Sequence, residues 1–225
     1  GNAHKLRELC EILAPFGLAL VAPVDVGYEP NVVEDGDTFE ANAIKKAQAG
    51  LAATGLWTIA DDSGIEARAL NWEPGVYSAR YAGEPCDDDA NNRKLVRELA
   101  EKTDRYVRYR CVIALARPAT AALTWAGAFP GVHIPDPRGV GGFGYDPYVL
   151  IPDLNKTVAE LSNADKHARS HRGQAVREFV TWLQRMQDSR RKPAHQSLFQ
   201  LLNLSTLSQK FLTELLVQDF PNNES

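Results

Sequence analysis

Three cysteines in 225 residues, Cys10, Cys86 and Cys111, are too few and too scattered for a disulfide framework, and no CxxC pair suggests a zinc module. Reduced thiols in a cytoplasmic protein are the expectation. Long apolar runs are also missing: Leu18 to Val24 is among the longest, strand-sized and far short of the ~18 residues of a membrane span. No basic-then-apolar stretch of the signal-peptide kind follows Gly1. A large excess of one sign of charge is missing too, with 25 Lys and Arg against 29 Asp and Glu. A net charge of −4 disfavours a broad nucleic-acid footprint, while leaving room for a local basic pocket. Secreted, membrane-embedded and nucleic-acid-coating proteins are thereby set aside.

What is present is an ordinary globular balance, 44 % apolar and 24 % charged. A chain of this length buries well over half its surface and needs no covalent staple. Leu6, Leu9, Ile12 and Leu13 share a helical face that Pro15 and Gly17 end, and Leu18 to Val24 reads as a strand. After a polar loop, Asp37 with Glu40 resembles a capping box, and Phe39, Ala43, Ile44, Ala47 and Leu51 continue a helix to Gly55. Trp57 to Ala60 is a short apolar strand running into Asp61-Asp62-Ser63-Gly64. Ala90 to Ala100 reads as a helix, Tyr106–Ala116 and Ala121–Phe129 as a hairpin, Tyr148–Ile151 as a strand, and Gly173–Gln187 as a helix. Alternating helix and strand predicts an α/β architecture.

Four segments carry potential chemistry. Asp61 and Asp62 at a strand end, with Gly64 permitting a turn, could hold a hard divalent cation and act as a base toward its water. Alone, the tetrapeptide is equally a turn whose carboxylates cap amides. Gly1-Asn2-Ala3-His4-Lys5 opens a helix, whose N-terminal amides and Lys5 suit a phosphate. In Gly141-Gly142-Phe143-Gly144-Tyr145-Asp146-Pro147 the glycines admit close backbone approach, and Phe143 and Tyr145 offer flat faces for a base. Lys166 followed by Ser170-His171-Arg172-Gly173 gathers three potential cations near a helix start.

Taken in order, GNxxK, the TFEAN helix, ADDSG, PGVYSARYAGE, GGFGYDP and KxxxSHRG resemble the inosine triphosphatase family, bacterial XTP/dITP (non-standard purine nucleoside triphosphate) pyrophosphatases, over roughly Gly1 to Leu183. The resemblance implies an elongated α/β fold: a long, mixed, twisted sheet with flanking helices and two lobes around a central groove, assembled as a homodimer. It implies Mg²⁺-dependent hydrolysis of ITP, dITP and XTP to the monophosphate and pyrophosphate. Asp62 would be the catalytic, metal-associated carboxylate and Glu34 a second metal ligand. Asn2, Lys5, Lys46 and Ser63 would grip the polyphosphate. Phe143, Gly144, Tyr145, Asp146, Lys166, His171 and Arg172 would form the purine pocket, in which donors favour a 6-oxo base over adenine.

Two departures stand out. The family pattern starts with a short apolar strand and a Thr or Ser before Gly-Asn; here Gly1 comes first, so that strand is expected to be missing, leaving a central parallel position to be filled otherwise. Residues 188–225 have no family counterpart beside the 1–187 domain, and Leu207, Phe211 and Leu215, with Leu212 and Leu216, predict an amphipathic helix that packs back on the domain or across a dimer. A Maf-type nucleotide pyrophosphatase and an inactive nucleotide-binding or interaction protein are the alternative readings.

Overall fold

The structure, a computed structural model, describes residues 3–16, 19–191 and 214–218. Its strands are β1 (Ala19–Val21), β2 (Thr58–Ala67), β3 (Tyr106–Ala116), β4 (Leu123–His133), β5 (Val149–Ile151), β6 (Lys156–Thr157) and β7 (Glu214–Gln218). They form a seven-stranded sheet in the order β1-β7-β2-β3-β4-β5-β6. The pairs β1·β7 and β7·β2 are parallel and the rest antiparallel, so the sheet is mixed, as expected. The helices are α1 (Ala3–Leu13), α2 (Phe39–Thr54), α3 (Asp88–Leu99), α4 (Asn163–Arg169) and α5 (His171–Arg191).

Side chains alternate across a strand, so β2 and β3 feed different cores on their two faces. Ile59, Cys111, Ile113 and Leu115 pack with Leu9, Ile12 and Leu13 of α1 and with Val176, Phe179 and Leu183 of α5. Ala60, Val112, Ala114 and Ala116 pack with Phe39, Ala43 and Ala47 of α2, small residues that let the helix lie close. Farther along the same strands, Ile65, Ala67, Val107 and Tyr109 belong to a third core with Leu95, Leu99, Phe129, Tyr145, Val149 and Val158. The polar run Asp61-Asp62-Ser63 therefore falls at a seam between apolar clusters.

Several local expectations are corrected. The ADDSG run is not a strand end: β2 continues through it, paired with β3 as Asp61↔Ile113, Asp62↔Val112 and Ser63↔Cys111. Gly64 makes no turn there. A Cβ on it would lie 2.3 Å from Ser78 Oγ, so close packing of the Gly75–Arg80 turn is what requires glycine. The N-cap of α2 is Thr38, whose side chain accepts from the Ala41 amide; its hydroxyl sits one residue nearer the first helical turn than Asp37. Within the tail, residues 214–218 are a strand where a helix was expected; Leu215, Leu216 and Val217 are consecutive apolar residues, a pattern that suits a central parallel strand as well as a helix. Strand β7 lies between β1 and β2. Leu207, Phe211 and Leu212 lie outside the described residues, as does Asn2.

Candidate active site

Because consecutive residues of β2 project to opposite faces, Asp61 and Asp62 are held by different helices. Asp61 faces α1 and α5. Its Oδ2 accepts from Arg172 Nε (3.1 Å), Arg172 Nη2 (2.9 Å) and Ser63 Oγ (3.3 Å), and Lys5 Nζ stands 3.8 Å from Oδ1. Asp62 faces α2. Its Oδ1 accepts from Lys46 Nζ (2.9 Å), which also donates to Glu34 Oε2 (3.1 Å).

The two carboxylates titrate in opposite senses. Burial alone would raise Asp61, but the charges of Lys5, Arg172 and Lys46 and the Arg172 hydrogen bonds overcome it and hold the carboxyl well below the usual range. For Asp62, burial wins: with Glu34 adding to it, Asp62 is pushed up to about 6 despite Lys46 and Lys5. Asp62 Oδ2 is buried with no hydrogen-bond partner among the described residues, whereas Asp61 Oδ1, also without a hydrogen bond there, has the Lys5 ammonium 3.8 Å away. Orphaned buried carboxylate oxygens are costly and point to a missing donor or cation.

Glu34 is brought to Asp62 by α2. Asn42 Oδ1 accepts from the Gly36 amide (2.8 Å) and Asn42 Nδ2 donates to the Gly36 carbonyl (3.3 Å), pinning the acidic loop. Neighbouring Asp35 turns outward and accepts from Lys45 (2.6 Å).

The glycine-rich segment folds around Asp146. Its Oδ2 accepts from the Phe143 amide (3.0 Å) and from Lys166 Nζ (2.9 Å), and its Oδ1 from the Tyr109 hydroxyl (2.9 Å). Gly142 has φ +74°, and a Cβ there would strike Asp146 Oδ2 at 2.1 Å, so both conformation and space demand glycine. The Gly144 amide donates to Asp88 Oδ2 (3.0 Å), which ties the segment to α3. Lys166 also donates to Glu8 Oε1 (2.7 Å) and lies 4.7 Å from the Phe143 ring centroid. Burial would depress Lys166, but Asp146 and Glu8 hold its pKa above the ordinary value.

Three roles are revised. Tyr145 offers no open face: it is buried in the third core and donates to the Ser78 carbonyl (2.8 Å). His171 is disfavoured as a cation: burial, with Arg172 and Lys166 beside it, pushes it well below its ordinary pKa, and its ring stacks on Tyr109 at 5.0 Å. Arg172 is fully buried, and besides Asp61 it donates to Ser63 Oγ (3.0 Å) and Glu8, so it organises the seam rather than facing open space. Lys46 joins Asp62 and Glu34 on the α2 face of β2, while Lys5, Ser63, Asp146 and Lys166 are linked to Asp61 directly or through Arg172 and Glu8 on the other face, with Phe143 beside Lys166 and Gly144 held by Asp88. Glu8, Asn42 and Tyr109 were not singled out from sequence. Glu8 follows Lys5 by three residues on the polar face of α1, a spacing that nothing local distinguishes from a solvated pair.

Among the described residues these two groups hold four cations, Lys5, Lys46, Lys166 and Arg172, and five carboxylates, Glu8, Glu34, Asp61, Asp62 and Asp146. An α/β sheet with a buried acidic pair, its lysines and a glycine-rich wall defines the class: a site built for a charged, oxygen-rich small molecule. The chain belongs to the Ham1 family, whose model matches residues 1–182. A dITP/XTP pyrophosphatase of Thioalkalivibrio sulfidiphilus is 48 % identical over 188 residues, which takes in 82 % of this chain and 95 % of the relative. A Ham1 protein from Coxiella burnetii has a solved structure with TM-score 0.76 and 39 % identity, covering 82 % of this chain and 95 % of that one. The nucleoside-triphosphatase/dITP/XTP pyrophosphatase of Mycobacterium abscessus superposes with TM-score 0.67 at 38 % identity over 81 % of this chain and 95 % of that one. The Maf-type reading gives way to this family.

Proposed function

We propose that this chain hydrolyses non-standard purine nucleoside triphosphates, ITP, dITP and XTP, to the monophosphate and pyrophosphate with Mg²⁺ as cofactor. The observation that carries the reading is Asp62: buried, beside Lys46, with Oδ2 accepting no hydrogen bond among the described residues and its proton affinity raised toward neutrality. A carboxylate so tuned can take a proton from water near pH 7.

A triphosphate brings about four negative charges. A network in which carboxylates already outnumber cations cannot accept it without added positive charge. Among the described residues no group of three or more His, Cys, Asp or Glu forms a metal cage. That fits Mg²⁺, which commonly binds through one or two carboxylates together with substrate phosphates and water. Asp62 and Glu34 are the residues that would hold it. When bound, the ion supplies charge neutralisation on the phosphates and Lewis acidity at the reacting centre.

The chain's own groups do the rest. Lys46 and Lys5 bind phosphate oxygens at the seam, and Asp62 accepts the proton of the attacking water. The water oxygen forms a bond to the α-phosphorus as the α–β bridging bond breaks, and pyrophosphate leaves as a unit. Phe143 supplies a face for the purine. Lys166 has three N–H donors, and Glu8 and Asp146 use two, so the third can meet a 6-oxo acceptor. Adenine would present an amino donor to the same group, at a penalty of a few kcal/mol. The test is kcat/KM for ITP and XTP against ATP with and without Mg²⁺. Strong preference for the 6-oxo triphosphates is expected, and equal turnover of ATP contradicts the proposed specificity.

A further inference from the structure

The glycine-rich wall turns at Phe143 to Asp146, where the Asp146 amide donates to the Phe143 carbonyl (3.2 Å) and Gly144 is the first of the two central residues. Turn types differ in which way the central peptide faces, and a glycine there, at φ +59°, tolerates more than one setting. The turn's own bond therefore leaves the two peptides that meet at Gly144 unfixed. Helix α3 fixes both. The Gly144 amide donates to Asp88 Oδ2 (3.0 Å), and the Gly144 carbonyl accepts from Asn92 Nδ2 (2.9 Å). Asp88 and Asn92 stand four residues apart and so share one face of the helix.

The helix is a firm mount. Leu95 and Leu99 are fully buried in the third core, and Asn91 accepts from the Ala82 amide (2.7 Å) and donates to the Ala79 carbonyl (2.9 Å). Asn92 is buried too. Its Nδ2 also donates to the Asp88 carbonyl (2.8 Å), while its Oδ1 accepts no hydrogen bond among the described residues. A buried acceptor without a partner is unfavourable, and an apolar side chain would avoid it; what Asn92 supplies is its grip on Gly144. On its outer side the turn borders open space, since a Cβ on Gly144 would meet nothing within 4 Å. The adjoining Phe143 ring centroid lies 4.7 Å from Lys166 Nζ. We propose that Asp88 and Asn92 are positioning residues for base recognition, which lock both peptides at Gly144 and so hold the Phe143 ring beside Lys166 for the purine. The base-recognition half rests on the proposed function; the lock on Gly144 does not.

Amide hydrogen exchange and ITP kinetics on variants of the full chain test it. Asp88→Ala should speed exchange of the Gly144 amide by at least about tenfold, and Asn92→Ala that of the Asp146 amide, which closes the turn. Both should raise KM for ITP by about tenfold, the worth of one hydrogen bond, with kcat changed less than about twofold. Inhibition by pyrophosphate, which has no base, should be unaltered. Asp88→Asn keeps an acceptor oxygen and should restore wild-type exchange and KM. Unchanged exchange in both alanine variants overturns the lock. Faster exchange with KM unchanged, a fall in kcat at constant KM, or pyrophosphate inhibition weakened as much as ITP binding overturns the role in base recognition. Asp88 is exposed, so its two variants carry the test if the Asn92→Ala chain does not fold. A wild-type chain that turns over no ITP sinks the proposed function, and the exchange measurements still decide the lock.

Discussion

Asp61 and Asp62 are adjacent in the chain and lie on opposite faces of β2, one locked to Arg172 and the other to Lys46. Alternation in a strand thus splits an acidic pair into a carboxylate held ionised and one whose proton affinity is raised, and the following expectations separate the two.

Asp62→Asn should lower kcat for ITP by ~10³-fold, the range expected for loss of a general base. The same change should raise the melting temperature of the metal-free protein at pH 7 by a few degrees. The sign follows from linkage. The folded pKa of Asp62, about 6, exceeds its unfolded value, so its stabilising contribution is complete below pH 3.8 and is lost as pH rises through 6. The neutral amide escapes that loss, and the gain should vanish near pH 4. Thermal melts of both proteins from pH 4 to 8 check it.

Asp61→Asn should do the opposite. It removes one of the two carboxylates that pair with the buried Arg172 guanidinium and leaves Glu8 alone to balance it, a cost of up to about 3–5 kcal/mol. The depressed pKa of Asp61 means that the wild-type contribution is present above pH 3.8 and fades only in stronger acid. Urea unfolding at pH 7 should show the deficit. A variant as stable as wild type would remove Asp61 from the anchoring role.

Lys166→Met should reduce kcat/KM for ITP by ~10–100-fold, the worth of a charged hydrogen bond, while ATP changes little. The ITP-to-ATP ratio then falls toward one. Equal losses on both would make Lys166 a phosphate ligand.

Tyr145→Phe removes the hydrogen bond to the Ser78 carbonyl and should cost about 1–2 kcal/mol of stability without changing KM for ITP. A raised KM with unchanged stability would restore Tyr145 to the purine pocket.

Much of this was legible in the sequence, for identifiable reasons. Apolar periodicity placed the cores of α1, α2 and α5, and the short polar motifs singled out Asp62, Glu34 and Lys46, which the structure brings into contact, and Asp146 and Lys166, which it pairs. Local pattern could not show that β2 continues through Asp61-Asp62-Ser63-Gly64: four small polar residues read as a turn, and only ten residues of pairing with β3 override that preference. Nor could it separate Phe143 from Tyr145, because burial of Tyr145 depends on Ser78, 67 residues earlier. Glu8 was invisible for the same reason, since its partners Lys166 and Arg172 come from the other end of the domain. The strand at 214–218 escaped because the spacing of Leu207, Phe211 and Leu215, with Leu212 and Leu216, suits a helix, while the three consecutive apolar residues suit a buried parallel strand equally well.

The central claim is attack of water at the α-phosphorus, with Asp62 as base. Hydrolysis of ITP in ¹⁸O-labelled water with Mg²⁺, read by mass spectrometry, tests it most directly. The account predicts one ¹⁸O in the inosine monophosphate and none in the pyrophosphate. Label in the pyrophosphate, or release of orthophosphate with inosine diphosphate, would contradict it.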